Sequence, residues 1–170
     1  MNGRKRAVVA VLAGVGILAL SAGKAALPLF IWNASASVPV GLYRLQAIDK
    51  LYAAELVVVV PPEPLATFLA QGGYLPRSVP MLKRVLALPG QAVCRRGLTI
   101  LIDGTAMGLA RERDGRARSL PTWQGCHVIA ADELFLMNRQ SADSLDGRYF
   151  GPIPASAVIA RADPIWIEKE

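Results

Sequence analysis

Residues 82–90, Leu-Lys-Arg-Val-Leu-Ala-Leu-Pro-Gly, form an apolar run that two cations interrupt and a Pro-Gly pair ends. The run has the length and composition of a β-strand, and its last two residues are a turn signal. Side chains alternate along a strand, so Lys83 and Val85 share one face while Arg84 lies on the other. One of the two cations must therefore face the more buried side, unless the strand lies at a sheet edge.

Lys83 is the unusual member of this run, because an unpaired ammonium group is costly to bury. Desolvation favours the neutral amine, which is the form able to accept a proton from a serine hydroxyl. The pattern therefore makes Lys83 a candidate general base. An exposed lysine on an edge strand, a common device against aggregation, is the alternative.

The segments around this run predict short elements separated by turns. Asp103-Gly104 is a strong signal for a two-residue hairpin turn. The predicted elements are strands over 55–60, 98–102, 128–137 and 157–167, one short helix over 65–70, and a polar surface loop over 110–122. The sequence therefore predicts a mostly β, antiparallel fold with a short inserted helix.

A second candidate segment lies nearer the N-terminus, in residues 33–43, Asn-Ala-Ser-Ala-Ser-Val-Pro-Val-Gly-Leu-Tyr. Small residues flank Ser35 and Ser37, so the hydroxyls stay accessible and backbone N–H groups can approach a bound carbonyl. Serine beside proline and glycine is also common in ordinary turns. This segment alone does not separate a nucleophile from a turn.

The third segment is residues 144–154, Ser-Leu-Asp-Gly-Arg-Tyr-Phe-Gly-Pro-Ile-Pro. Asp146 can pair with Arg148 or with Arg84 and so hold a loop against the strand. Ser144 can form a hydrogen bond that orients a lysine. The alternative is an ordinary loop with a surface ion pair.

The N-terminal residues 1–6 carry three cations, and residues 7–23 carry no charge. Cations before an apolar run place the N-terminus in the cytoplasm. A second apolar stretch, residues 25–32, follows a single lysine that can reach the membrane interface. The sequence therefore predicts a cytoplasmic N-terminus and transmembrane anchor in residues 1–32, and an extracytoplasmic domain in residues 33–170. A cleaved secretory signal peptide is the alternative, and it leads to the same compartment.

Cys94 and Cys126 are the two cysteines of the chain, and both fit an oxidising compartment. They can form one disulfide at the base of a small excursion, about residues 94–126, or remain two free buried thiols. Their spacing matches no metal motif, and the single histidine, His127, argues against a zinc site. A histidine-based triad needs that same residue and is a weaker alternative to the lysine.

The formal net charge of +6 comes from short basic clusters, among them residues 95–96 and 111–118. Aromatic residues are not interleaved with these cations, which argues against nucleic-acid binding. Anionic lipid head groups are a better expected partner for the charge.

Together these segments resemble the type I signal peptidase (leader peptidase) family of Ser/Lys proteases. The order also matches, with an N-terminal anchor, a serine just beyond it, a Lys-Arg-Val strand and a Ser-x-Asp-x-Arg box. Within the family, the Ser-x-Pro-x-Gly-Leu-Tyr ending of residues 33–43 resembles the TraF-type peptidases of conjugative transfer. The resemblance implies an antiparallel β catalytic domain, located in the periplasm and attached to the inner membrane by one transmembrane helix.

The resemblance also implies roles for individual residues. Ser37 matches the nucleophile, Lys83 the general base, and Ser35 a hydroxyl that helps the Ser37 N–H bind the oxyanion. Ser144 matches the serine that hydrogen-bonds the lysine. The ion-pair group that shapes the site is matched by Asp146, Arg148 and Arg84.

Four features depart from the general family pattern. Val38 stands where the family has methionine, and Pro39 follows the nucleophile by two residues instead of three. The Gly-Asp-Asn-Arg box is reduced to residues 137–139, Met-Asn-Arg, and Gly147 replaces a serine. These departures favour a specialised branch over general leader removal.

The expected function is therefore a membrane-anchored serine endopeptidase that cleaves a secreted precursor, with a conjugative pilin as the expected substrate. Ring closure of the product by acyl transfer is a further outcome of the same chemistry. No cofactor is expected. The expected partners are a membrane-tethered precursor protein and the lipid bilayer, with no nucleic acid. The alternatives are a non-catalytic assembly factor of a pilus or secretion channel, and a self-cleaving regulator of the repressor type.

Overall fold

The structure is a computed structural model, and it describes residues 11–12 and 28–168. Most of the predicted anchor, residues 1–32, lies outside the described residues. Within the part that is described, no helix has the length and apolar character needed to cross a membrane. Residues 30–32, which the sequence analysis assigned to the end of the anchor, form a strand.

The described residues fold into strands that all pair in an antiparallel manner. The strands are β1 (Phe30–Asn33), β2 (Gly41–Gln46), β3 (Leu56–Val59), β4 (Met81–Ala87), β5 (Ala92–Arg96), β6 (Thr99–Ile102), β7 (Thr105–Leu109), β8 (Gly125–Val128), β9 (Glu133–Leu136), β10 (Ile153–Pro154) and β11 (Val158–Ile167). The helices are α1 (Leu65–Gln71), α2 (Gly147–Phe150) and a single 3-10 turn (Ala155–Ala157). The predicted mostly β, antiparallel class with a short inserted helix is confirmed.

The larger sheet has the strand order β1-β2-β11-β3-β4-β9-β10. Strand β4, which carries Lys83, lies between β3 and β9. It is therefore an interior strand, and the edge-strand alternative for Lys83 is wrong. An interior strand is covered on both sides by hydrogen-bonded neighbours, so the face on which a side chain points decides its burial.

The smaller sheet has the order β7-β6-β5-β8 and spans Ala92–Val128. Its β6–β7 turn is Asp103-Gly104, with φ of 49° and 81°. Positive φ at both central residues is what a type I′ hairpin turn requires. Cys94 and Cys126 are direct cross-strand partners on β5 and β8, and a disulfide joins them.

Alternation along β4 distributes its side chains between separate apolar clusters. Leu82 packs with Tyr43 on one face of the larger sheet, and Val85 packs with Val57 on the other. Further along the strand, Ala87 belongs to a third cluster that lies between the two sheets. Lys83 shares the face of Val85, as the alternation predicted, and only 5% of its surface is exposed.

The predicted strand over residues 128–137 is two strands, β8 and β9, which belong to different sheets. Glu133 makes the turn between them, because its N–H donates to Ala130 O and its carboxylate accepts from Ala130 N. An apolar run therefore ended in one sheet and resumed in the other. The apolar pattern alone did not reveal the turn.

Candidate active site

A cleft of about 800 Å³ brings three distant segments of the chain together. Ser35 and Ser37 come from the loop after β1, Lys83 from the middle of β4, and Ser144 from the loop before α2. All four side chains line this cleft. The three candidate segments of the sequence therefore share one site.

Asn33 organises the serine loop, a role that sequence reasoning missed. The buried Asn33 side-chain Nδ2 lies 2.8–3.1 Å from three carbonyl oxygens, those of Ser35, Val38 and Pro39. Its Oδ1 accepts from the backbone N–H and the hydroxyl of Ser35. Tyr43 also stabilises the loop, since its hydroxyl donates a hydrogen bond to Pro39 O at 2.6 Å. The available signal was an asparagine directly before a run of small residues, which is typical of a side chain that bonds nearby backbone.

The two serine hydroxyls are hydrogen-bonded to each other, with 3.1 Å between Ser35 Oγ and Ser37 Oγ. Ser35 Oγ also donates to Asn33 Oδ1 at 3.1 Å. A hydroxyl has one proton, so Ser37 is then the donor to Ser35. For Ser35 to donate to an oxyanion, its hydroxyl must rotate away from Asn33.

The Lys83 amine is buried and makes one recorded hydrogen bond within the described part of the chain. Its Nζ donates to Ser144 Oγ at 2.8 Å, and Ser144 is itself 2% exposed. Burial lowers the pKa of Lys83 from its ordinary value to about 8, Asp146 raises it in part, and Arg148 lowers it further. Desolvation therefore dominates, and the neutral amine is a minor form at pH 7 but far more populated than in a lysine with an ordinary pKa.

The structure records no hydrogen bond between Ser37 and Lys83 among the described residues. Ser37 Oγ contacts Ser35, while Lys83 Nζ contacts Ser144. Both side chains nevertheless face the same cleft. Catalytic hydrogen bonds commonly tighten only when substrate binds, so the two side chains remain candidates for a common site.

Asp146 and Arg148 form a buried ion pair beneath the site. Arg148 Nε and Nη2 each donate to the Asp146 carboxylate at 2.9 Å. Arg148 also donates to the carbonyls of Ser141 and Ser144, which holds the loop that carries Ser144. Asp146 receives a further bond from the Asn138 N–H. A buried pair is favourable only when such additional bonds satisfy both ions, and this one is satisfied.

Arg84 does not belong to this group, contrary to the prediction from the resemblance. Its guanidinium donates to Ala54 O and lines a smaller surface pocket with Glu55 and Tyr43. The reason is alternation, because Arg84 points to the face of β4 opposite Lys83. The other predicted members, Asp146 and Arg148, are joined to each other.

Asn138 is a second organising residue that sequence reasoning did not recognise. It is 1% exposed, and its side chain bonds the two peptide groups that flank Lys83. Nδ2 donates to Leu82 O at 3.1 Å, and Oδ1 accepts from Arg84 N at 3.0 Å. The side chain thereby replaces regular strand pairing at this position, so the backbone of Lys83 is tied directly to the loop that carries Asp146.

The smaller sheet supports the site from behind. Arg95 Nη1 donates to Arg148 O at 2.6 Å, and Trp123 Nε1 donates to Gly147 O at 3.0 Å. The cysteine pair lies on this sheet and outside the cleft.

His127 pairs with Glu133 at 2.6 Å, also away from the cleft, so the histidine-triad alternative is wrong. Among residues 28–168, no group of His, Cys, Asp and Glu has the arrangement of a metal site.

Comparison with known proteins gives one family and several close relatives. The family model described as signal peptidase, peptidase S26 matches residues 4–167. A conjugal transfer protein TraF of Agrobacterium fabrum (strain C58 / ATCC 33970) is 34% identical over 168 residues, covering 92% of this chain and 89% of that protein. A plasmid transfer protein TraF of Escherichia coli is 34% identical over 170 residues, covering 91% and 92%. A crystal structure of a signal peptidase I from Enterococcus faecalis V583 aligns with a TM-score of 0.41 at 18% identity, covering 68% of this chain and 98% of that chain. The range matched by the family model includes every residue of the cleft.

Proposed function

Because the chain belongs to the S26 signal peptidase family and is of its TraF type, we propose that it is a membrane-anchored serine endopeptidase with a Ser37/Lys83 dyad. One observation carries the proposal. Lys83 is buried, has a pKa lowered to about 8 by that burial, and faces the same cleft as Ser37. A cation in this place is costly for folding, and a neutral amine near a hydroxyl is what acyl transfer needs.

The first chemical step is proton transfer coupled to attack. Neutral Lys83 Nζ accepts the proton of Ser37 Oγ, and the oxygen adds to the scissile carbonyl carbon. The oxyanion is stabilised by the Ser37 N–H and by the Ser35 hydroxyl once that hydroxyl leaves Asn33. A donor of this kind is worth about 3 kcal/mol in other hydrolases.

The second step releases the leaving group. Protonated Lys83 returns its proton to the amine nitrogen as the C–N bond breaks, which leaves an ester between the substrate acyl group and Ser37. Ser144 keeps Lys83 Nζ in place throughout, since it bonds a different hydrogen from the one transferred. Attack by water on the ester gives hydrolysis, whereas attack by a substrate amine gives a new peptide bond and a closed ring.

The substrate in this proposal is a secreted precursor tethered to the membrane, namely a conjugative pilin. The relatives are named as conjugal or plasmid transfer proteins, which supports a role in conjugation for this chain. An anchor N-terminal to β1 would hold the periplasmic domain at the inner membrane. Only strand β1 would separate this anchor from the serine loop, so the cleft would lie near the bilayer surface and meet such a precursor without a search through the periplasm.

A non-catalytic assembly factor is the competing function. It predicts a solvent-exposed Lys83 with no need for an orienting partner. The burial of Lys83 and its bond to Ser144 favour the peptidase instead.

The test is co-expression of a candidate pilin precursor with the wild type, Ser37→Ala or Lys83→Ala, followed by mass spectrometry of the product. Matched controls are Ser156→Ala and Lys50→Ala, because both residues are exposed and lie outside the cleft. The proposal expects processing by the wild type and both controls and none by the two dyad variants. Processing that survives Ser37→Ala and Lys83→Ala would refute the dyad, and the mass distinguishes a linear product from a ring, which lacks one water.

A further inference from the structure

The cleft has one strongly basic wall, formed by residues 111–118 between β7 and β8. Four arginines of this loop line the same cleft as Ser37 and Lys83, namely Arg111, Arg113, Arg116 and Arg118. The composition of this cluster alone predicts a surface loop attracted to anionic lipid. Its position in the cleft that contains Ser37 and Lys83 indicates a role in binding a ligand of that cleft instead.

The wall is anchored to the rest of the cleft. Asp114 accepts from the Tyr74 hydroxyl at 2.6 Å and from Arg118 Nε at 2.7 Å. Arg118 lies over the Tyr74 ring, 4.3 Å from its centroid, and donates to Gly72 O just after α1. Asp114 also accepts hydrogen bonds from the backbone N–H groups of Arg116 and Arg118. These contacts fix the loop backbone, so its arginines project from a defined wall.

Two of the four cations already have carboxylate partners within the chain. Arg118 pairs with Asp114, and Arg111 pairs with Asp143. The guanidinium of Arg113 has one recorded bond, to Ala117 O, and that of Arg116 has none among the described residues. The cleft therefore has two more arginines than carboxylates, and the donors of Arg113 and Arg116 remain available to a ligand.

The remainder of the cleft is largely apolar. Its aliphatic lining includes Ile31, Leu75, Val79, Met81 and Leu145. A peptide that fits both parts has small or apolar residues along this lining and an anionic group at the arginine wall. Carboxylates are the anionic groups that a polypeptide carries, and Arg binds them with directed N–H donors.

We propose that Arg113 and Arg116 form a subsite that binds a carboxylate of the peptide substrate, either an acidic side chain or a free C-terminus. The subsite rests on the proposed peptidase function and adds a substrate feature to it. A lipid phosphate is the competing ligand, and the location of both arginines in the same cleft as the dyad favours the peptide.

The test measures binding, so that it does not depend on turnover. The full chain carrying Ser37→Ala is held in neutral detergent micelles and titrated against fluorescent alanine-rich peptides. One position at a time is Glu, Gln or Lys, and each peptide is made with a free and an amidated C-terminus. The same titrations use Arg113→Gln with Arg116→Gln, the charge-preserving pair Arg113→Lys with Arg116→Lys, and Arg96→Gln, an exposed arginine outside the cleft.

A preference of about fivefold for Glu over Gln at one position, or for the free over the amidated C-terminus, is the expected result. The glutamine pair should remove the preference, the lysine pair should keep part of it, and Arg96→Gln should leave it intact. The preference should also weaken as salt rises. The peptide series in which the preference appears shows whether the carboxylate is an acidic side chain or the free C-terminus.

Equal binding of Glu and Gln peptides at every position, with no effect of the C-terminus, overturns the subsite. Absence of measurable binding to any peptide overturns it as well. The last arm measures binding of the wild type and of the Arg113→Gln, Arg116→Gln variant to vesicles containing phosphatidylglycerol. If the variant loses vesicle binding and no peptide preference is seen, the two arginines bind lipid and not the substrate carboxylate. Precursor processing by the wild type that needs Ser37, together with no carboxylate preference, would reject the subsite alone and leave the peptidase standing.

Discussion

Lys83 Nζ and Ser144 Oγ are joined by a 2.8 Å hydrogen bond although 61 residues separate them in the chain. Ser144 accepts one hydrogen of the amine, which directs the nitrogen lone pair elsewhere. The loop that presents Ser144 is held in turn by Arg148, through the carbonyls of Ser141 and Ser144. The orientation of the Lys83 amine therefore depends on a buried ion pair, because Arg148 of that pair holds the loop from which Ser144 contacts the amine.

Ser144→Ala should lower kcat about tenfold or more and leave KM little changed, because an unoriented amine is a poorer base while the substrate contacts remain. The substitution leaves a buried Lys83 donor without a partner, at a cost of about 1–3 kcal/mol in the free energy of unfolding. Steady-state kinetics and denaturant unfolding test both effects. Ser156→Ala is the control, and an unchanged kcat in Ser144→Ala would remove Ser144 from the mechanism.

The rate should rise with pH and level off above an apparent pKa of about 8. In the proposed mechanism the neutral form of Lys83 is the base, and burial lowers the pKa of Lys83 to about 8. At pH 7 only about a tenth of the amine is neutral, so kcat/KM should increase nearly tenfold per unit at lower pH. The measurement is kcat/KM from pH 5 to 10, and a profile that is flat between pH 6 and 9 would exclude Lys83 as the titrating base.

Lys83→Met should stabilise the protein at neutral pH, because methionine has no charge to desolvate. Below pH 8 both folded and unfolded states bind the lysine proton, and the folded wild type then bears a desolvation cost on the order of 3 kcal/mol. Between about pH 8 and 10.5 the folded state has lost the proton and the unfolded state keeps it, so wild-type stability rises relative to Lys83→Met. Urea unfolding at pH 7 and pH 10 measures this, and a difference that does not depend on pH would contradict the burial of Lys83.

Asn138→Ala should lower stability by about 2–4 kcal/mol, since it strips partners from two buried peptide groups, Leu82 O and Arg84 N. Those groups flank Lys83, so the folded variant should also show a reduced kcat and an altered pH profile. Arg139→Ala, next along the chain, is the matched control. A loss of stability with an unchanged kcat and pH profile would leave Asn138 with a purely structural role.

Gly147→Ser, which restores the serine of the general family pattern, should destabilise this chain by about 1–3 kcal/mol. A Cβ at Gly147 would lie 2.6 Å from Phe135 Cε2 and 2.8 Å from Leu136 O. Gly115→Ser is the control, because a Cβ there meets nothing within 4 Å. Thermal unfolding of the two variants gives the comparison, and equal melting temperatures would mean that β9 yields to the added atoms.

The local features of this protein follow from short stretches of its sequence. Alternation placed Lys83 and Val85 on one face of β4, and Asp103-Gly104 specified the β6–β7 turn. These predictions hold because strand alternation and turn chemistry depend on a few adjacent residues. The family resemblance also followed from short motifs, and the matching family model and relatives confirm it.

Which strands become neighbours depends on packing between distant parts of the chain, and this packing sets which polar groups are buried. Lys83 is buried because β4 pairs with β3 and β9, and the same packing places Ala54 O, and not Asp146, beside Arg84 on the opposite face. The roles of Asn33 and Asn138 were hidden for a related reason, since an asparagine shows its partners only when the backbone around it is folded. Burial and hydrogen-bond partners are properties of long-range packing, so the lowered pKa of Lys83 is decided by the fold and not by the residues beside it in the chain.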